Sequence, residues 1–321
     1  MARKLFPLFL LGLVLSLSLS PIRAAEKVNI GTPIKVYPVY YLLFGAAEEK
    51  GYWKESGIDP EWVPFTGSPS LHRALVARSV MTGIETATGS VLAVTRGLPI
   101  IIAGLVQYRH EFPLWVRADS PVRSAEDLKK GVKVKVGVAA LGGVEDIYTR
   151  AIAKALGIQK DIRIVATGAP VVSVAALKSG AVEAVLTSVS TMIRSKLAGD
   201  VRSVLSNEDY LPKEWLGHVF YAHTDLLRDS PETVGRLVKA LIKASNFVMD
   251  NPEWAVKRVI REHGLPEEGA RALHQSFSYT RDGKMEPKRL ENIRNFLIEY
   301  DQINKEKAPP VEQMFTRQFT G

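Results

Sequence analysis

One stretch of this sequence occurs twice. Residues 74–86 read ALVARSVMTGIET, and residues 176–188 read ALKSGAVEAVLTS. In each copy a helix ends in a small or turn-capable residue, and a short apolar strand then delivers hydroxyl-bearing residues to its carboxyl end. Two like units predict two like lobes. In open α/β sheets ligands sit outside the carboxyl ends of the strands, so two such ends facing each other enclose one small molecule in a cleft.

The N-terminus predicts export. Arg3 and Lys4 precede a Leu-rich run from Leu5 to Leu19, and Ala24-Ala25 follows as a small-residue cleavage site. That run is shorter than the about 20 apolar residues a membrane span needs, so residues 1–25 are expected to be a removed signal peptide, with the cut good to a residue or two. The sequence contains no cysteine, which excludes a lipidated N-terminal Cys, disulfides, thiolate catalysis and Cys-based zinc sites. A periplasmic protein of a double-membraned bacterium fits these features. The remaining chain suits two lobes of about 150 residues each. Its formal charge of +8 includes Arg3, Lys4 and Arg23, and the other basic residues are scattered among acids. A nucleic-acid reading would want a basic stripe on one face, so no nucleic-acid partner is expected.

Strand and helix signals alternate, the pattern of a mostly parallel sheet. Strands are expected over 28–32, 61–65 and 99–105, with a helix over 39–50 stopped by Gly51 and another opened by Ser68 and Pro69. An extended segment over 112–117 crosses to a second lobe. There 124–128 opens a short helix, 133–139 and 162–166 are strands, and a helix runs from the Gly142-Gly143 turn to Gly157. From Ser230 onward the chain reads as helical. Val234, Leu237, Val238, Leu241, Ile242 and Val248 form one stripe, and further helices start near Pro252, Pro266 and Pro287. These helices are expected to pack back on the first lobe.

Three segments carry a resemblance: AAEEKGYWKESGI at 46–58, DSPVRSAEDLK at 119–129 and ALKSGAVEA at 176–184. In this order the chain resembles periplasmic substrate-binding proteins of ABC transporters, of the nitrate, sulfonate, taurine and thiamine-precursor type. It departs at Met81, where similar proteins often carry an acidic residue. The resemblance implies an α/β, two-lobed periplasmic binding protein fold of type II, each lobe a mostly parallel sheet flanked by helices. Lobe 1 would comprise 26–115 and 219–321, and lobe 2 would comprise 116–218. It also implies a cleft that closes on its ligand and docks on membrane permease subunits.

Several residues can serve such a cleft. Glu85 stands near the carboxyl end of an apolar strand, where an ionised carboxylate is costly unless paired or used; it either meets a ligand amine, amidine or hydroxyl, or is a rim residue paired with a nearby Arg or Lys. Gly142 and Gly143 turn into a helix whose free N–H groups suit an anion, yet Glu145 and Asp146 compete for that field. Asp146 reads as a helix cap. The turn Thr66, Gly67 and Ser68 and the strand ends Thr86, Thr187 and Ser188 offer hydroxyls and close backbone approach; such residues also cap helices without any ligand. The resemblance favours binding for Thr66, Ser68 and Thr187. Of the aromatics Tyr37, Tyr40, Tyr108, Trp115 and Tyr221, the positions of Tyr37 and Tyr108 just beyond strands suit a pocket wall, while Trp115 suits packing at the crossover.

The histidines make no metal-site pattern, no G-x-S-x-G elbow occurs, and no cofactor is expected. The reading is therefore a monomeric periplasmic receptor, not an enzyme, that binds a small organic solute and delivers it to the permease of an ABC importer. The solute would be a sulfonate or a carboxylate, or taurine-like or pyrimidine-like. The alternatives are a pyrimidine-precursor synthesising enzyme of the same fold and a periplasmic sensor subunit.

Overall fold

A computed structural model describes residues 25–35 and 37–320; residues 1–24 of the expected signal segment lie outside them. The chain begins with β1 (Glu26–Thr32), α1 (Pro38–Glu49), the short α2 (Tyr52–Ser56), β2 (Ile58–Pro64), α3 (Ser68–Val76), β3 (Thr82–Thr86), α4 (Ala87–Thr95) and β4 (Ile100–Gln107). It then crosses into β5 (Pro113–Arg117), α5 (Ala125–Leu128), β6 (Val134–Val138), α6 (Val144–Leu156), β7 (Ile162–Ala166), α7 (Pro170–Ser179), β8 (Ala184–Leu186), α8 (Val189–Leu197) and β9 (Val201–Ser206). A second crossing leads to β10 (His218–His223). The helices α9 (Thr224–Asp229), α10 (Pro231–Asp250), α11 (Pro252–His263), α12 (Glu267–Gln275) and α13 (Pro287–Glu299) follow.

The strands form two five-stranded sheets, ordered β2-β1-β3-β10-β4 and β7-β6-β8-β5-β9. The two orders are the same pattern written twice. In each, three strands run parallel through a central one, and the fourth position is filled by an antiparallel strand that the crossing segment supplies: β10 in the first sheet, β5 in the second. The limit drawn at 115/116 therefore falls inside β5, and the one at 218/219 falls after the first residue of β10. Segments 108–112 and 207–217 make the crossings.

The repeated sequence is a repeated structure. Arg78 in the first copy and Gly180 in the second both follow a helix and both have positive φ, 56° and 76°. Thr86 and Ser188, at matching ends of the two copies, are the N-caps of α4 and α8. The strands between them, β3 and β8, are buried at every residue, as expected of parallel strands covered on both faces.

Two large apolar cores hold the arrangement. The first joins β1 to α1, α10 and α11, and uses the α10 stripe of Val234, Leu237, Val238 and Leu241. The second is shared between the sheets: Val91 and Leu92 of α4, Ile147 and Tyr148 of α6, and Leu290, Ile293 and Phe296 of α13 pack together. The chain end returns beside β4, where the Ile102 N–H donates to the Met314 carbonyl at 2.9 Å. Among the described residues no helix is long and apolar enough to cross a membrane.

Candidate functional site

The carboxyl ends of the parallel strands of the two sheets face a common void of about 100 Å³, the scale of one small ring. Six helices begin at it. Tyr37, Gly67, Thr86, Ala169 and Ser188, all in its wall, are the N-caps of α1, α3, α4, α7 and α8, and Val144 is the first residue of α6. This is the geometry of a strand-end cleft in which each βα turn contributes a short wall.

Of the residues singled out in the sequence, Tyr37, Thr66, Gly67, Ser68, Thr86, Glu145, Thr187 and Ser188 line the void. Glu85, Tyr108, Gly142 and Gly143 do not. Side chains alternate across a strand, and Thr86, opposite His218 in the antiparallel register, faces the void, which turns Glu85 to the other face of β3. There the Glu85 carboxylate is fully buried and accepts from His72 Nε2 at 2.8 Å and Ser90 Oγ at 3.4 Å, while its Oε2 has no partner. The partner is thus a histidine, rather than the Arg or Lys anticipated for a rim position. Tyr108 lies beyond the edge strand β4, its N–H donating to the Ser278 carbonyl and its ring under the Arg289 guanidinium. Gly142 and Gly143 act one step back. Gly142, at φ 73°, donates to Asp146 Oδ2 at 2.7 Å, and Gly143 caps α6, which sets Val144 and Glu145 in the wall.

The structure adds Lys35, Phe65, Phe112 and His218 to the wall and brings in Tyr40 from among the aromatics weighed in the sequence. Phe112 ends the first crossing, His218 opens β10 just after the second, and neither had a local signal of its own. Tyr40 had one: it lies one helical turn after Tyr37 on the same face. The rings of Tyr37, Tyr40 and His218 pack with centroids 5.1 to 5.5 Å apart.

Burial governs the titration of these groups. Part of Glu145 opens on the void, yet protein surrounds the carboxylate elsewhere, and this desolvation pushes its pKa up to about 7. Burial drives His218 well below its ordinary value, with His110 nearby adding to the effect. His218 is therefore neutral, and Nδ1 lies 3.0 Å from Gln107 Oε1. A proton on Nδ1 that donates to this oxygen leaves Nε2 as an acceptor. The Tyr40 hydroxyl is buried without a hydrogen-bond partner, and burial, followed by the nearby Tyr37, raises its pKa well above the ordinary value. Among the described residues no cluster of three or more His, Asp or Glu could hold a metal ion.

The family model described as NMT1/THI5 like matches residues 39–255. A relative from Brucella abortus (strain 2308), described as a binding protein, is 26% identical over 211 residues; the match spans 65% of this chain and 64% of that protein, just under two thirds of its length. Among solved structures, the alkanesulfonate-binding protein of Xanthomonas axonopodis pv. citri bound to MOPS superimposes with a TM-score of 0.72 at 17% identity, covering 91% of this chain and 99% of that one. The periplasmic nitrate-binding protein of Synechocystis PCC 6803 gives 0.70 at 17% identity, covering 91% and 86%. The fold is that of the two-lobed periplasmic binding proteins.

Proposed function

The chain belongs to the NMT1/THI5-like family, and from that premise we propose that it is the solute-binding component of an ABC importer. In this reading the two sheets are the cores of two lobes, segments 108–112 and 207–217 are the hinge, and the void between the lobes takes up a small organic solute. One observation carries it: Thr86 and Ser188, the matching ends of the duplicated unit, come from different sheets and line one void.

Binding would bias an existing open-to-closed equilibrium by the difference in affinity of the two forms. The closed form would then be offered to permease subunits in the inner membrane. The charged N-terminal segment with its apolar run and Ala24-Ala25 supports a periplasmic location after cleavage. The absence of cysteine removes thiolate chemistry. A likeness to proteins described as sulfonate- and nitrate-binding supports the transport reading without naming the solute.

The experiment is a thermal-shift screen of the chain from Glu26 onward, stripped by unfolding and refolding, against sulfonates, nitrate, aromatic acids, pyrimidines and amines. A solute at a hundredfold excess over its Kd stabilises the folded form by about 2.7 kcal/mol, a clear rise in Tm. A folded, ligand-free protein that responds to no class would count against the reading.

A further inference from the structure

Resting on that receptor reading, we infer that the polar end of the solute is an N–H donor, an amidine or amine carried on a small unsaturated ring, and that Glu145 holds it. A sulfonate, nitrate or carboxylate is disfavoured in the same void.

Six helix N-termini would ordinarily make an anion site, but here five of the six each lose a donor or carry competing acids. α1, α3 and α7 have Pro38, Pro69 and Pro170 in their first turn, and each proline removes one of the free N–H groups there. At α4 the Gly89 N–H donates to the Thr86 hydroxyl at 3.1 Å. At α6 the N-terminus carries Glu145 and Asp146, and the Gly142 N–H is taken by Asp146. Only α8, of the six, starts with no proline, side-chain cap or acid. The wall has no arginine among the described residues, and its one lysine, Lys35, is exposed.

Acceptors, by contrast, converge. The charged and titratable groups around Glu145 are Asp146 and Tyr148 on its own helix, Tyr37 and Tyr40 of α1, His218 of β10 and Lys35 of the β1–α1 loop. Asp146 is occupied by Gly142 and by Arg150, 2.8 Å away. His218 is neutral with Nδ1 on Gln107, which leaves Nε2 an acceptor on a ring in the wall. Tyr40 lines the same void, and its hydroxyl is fully buried and has no partner, a state that native structures rarely leave unexplained. Phe65, Phe112 and Tyr37 supply flat apolar walls for a ring. A carboxylate, a neutral imidazole acceptor and a free hydroxyl among aromatic faces match an N–H donating ring and repel an anion.

The linkage has a sign. Glu145 ionises only as pH passes its raised pKa of about 7, so a cationic probe binds more tightly at pH 8 than at pH 6. The ionised fraction rises from about a tenth at pH 6 to about nine tenths at pH 8, so the gain between them is about tenfold. Isothermal titration of the chain from Glu26 onward with benzamidine and with benzenesulfonate, at both pH values, tests this. We expect benzamidine to bind and benzenesulfonate not to. Glu145→Gln should weaken benzamidine at least tenfold and abolish the pH dependence, while Glu145→Asp keeps it. Tyr40→Phe, which deletes an unpartnered hydroxyl and so leaves the fold intact, should weaken benzamidine several-fold. Tighter binding of benzenesulfonate, or an affinity for benzamidine that Glu145→Gln leaves unchanged, overturns the inference and leaves the receptor reading standing. No binding by these probes or by any of the solutes in the thermal-shift screen overturns both.

Discussion

Gly67 of one sheet's βα turn meets Ala140 of the other's across the mouth of the void: a β carbon built at 67 would stand 2.9 Å from the Ala140 Cβ, closer than real β carbons approach. Gly67 also has φ 78° and ψ 158°, a region that is essentially glycine's alone and costs another residue about 1–3 kcal/mol. Gly67→Ala is therefore expected to weaken solute binding by propping the lobes apart and to lower stability as well. The double variant Gly67→Ala, Ala140→Gly relieves the clash but not the strain. Its solute affinity, measured by titration, should recover most of the loss while its Tm stays low.

Glu85 is the second test, because its chemistry looks functional and its position does not. The pocket lies on the other face of β3, so Glu85→Gln should leave solute affinity unchanged. Removing its partner is a different matter: His72→Ala strands a fully buried carboxylate, a loss of about 3–5 kcal/mol for a buried pair. Burial lowers the His72 pKa, but the Glu85 charge and hydrogen bond outweigh it and the net shift is upward from 6.5. Stability from the pair is thus complete below pH 6.5 and is lost as pH rises through the raised value. Urea midpoints of wild type and His72→Ala should converge with rising pH, and parallel curves would refute the pairing.

The same residue marks what the sequence could and could not tell. The duplicated unit was legible because each copy carries its own local signals, and it led to Thr86, Thr187 and Ser188 in the wall. Which way Glu85 points was not, since β3 is buried on both faces and so lacks the apolar and polar alternation that assigns a side. For the same reason α4 went unread: seven of its nine residues are buried, and a helix covered all round has no polar stripe. The antiparallel strands β5 and β10 depend on partners far away in the chain. No local pattern specifies such pairing, which is why Phe112 and His218 entered the site only with the structure, and why a limit placed at 115/116 cut β5.

Across the shared core, the hydroxyls of Thr88 on α4 and Tyr148 on α6 lie 2.8 Å apart, and Tyr148 also lies 3.2 Å from His110 Nε2. All three side chains are buried, so each lost bond costs about 1 kcal/mol and a stranded partner up to about 3. Tyr148→Phe should lower stability by about 1–3 kcal/mol. A double-mutant cycle with Thr88→Val should return a coupling of about 0.5–1.5 kcal/mol. Additive losses would mean that this pair does not tie α4 to α6.

Buried titratable groups also set where in pH the fold is most stable. Burial holds His110 at about 3 and His218 well below 6.5, so the unfolded chain takes up protons that the folded one refuses as pH drops below 6.5. Each histidine then removes stability at about 1.4 kcal/mol per pH unit. Glu145 works the other way. Its folded pKa of about 7 stands above the ordinary 4.5, so the folded form takes up the extra proton and gains stability as pH falls between those values. Down to pH 6.5 only the gain operates. From 6.5 to 4.5 one gain is set against two losses, and below 4.5 only losses remain. These three terms turn over near pH 6.5, and the His72 pair adds to the decline above it. His110→Gln should halve the histidine loss and flatten the curve between pH 6.5 and 4.5. Glu145→Gln should make the decline above pH 6.5 shallower, leaving the part that the His72 pair contributes. Urea midpoints from pH 4 to 8 distinguish these shapes, and a Glu145→Gln curve that kept the whole wild-type decline above pH 6.5 would show that Glu145 contributes none of it.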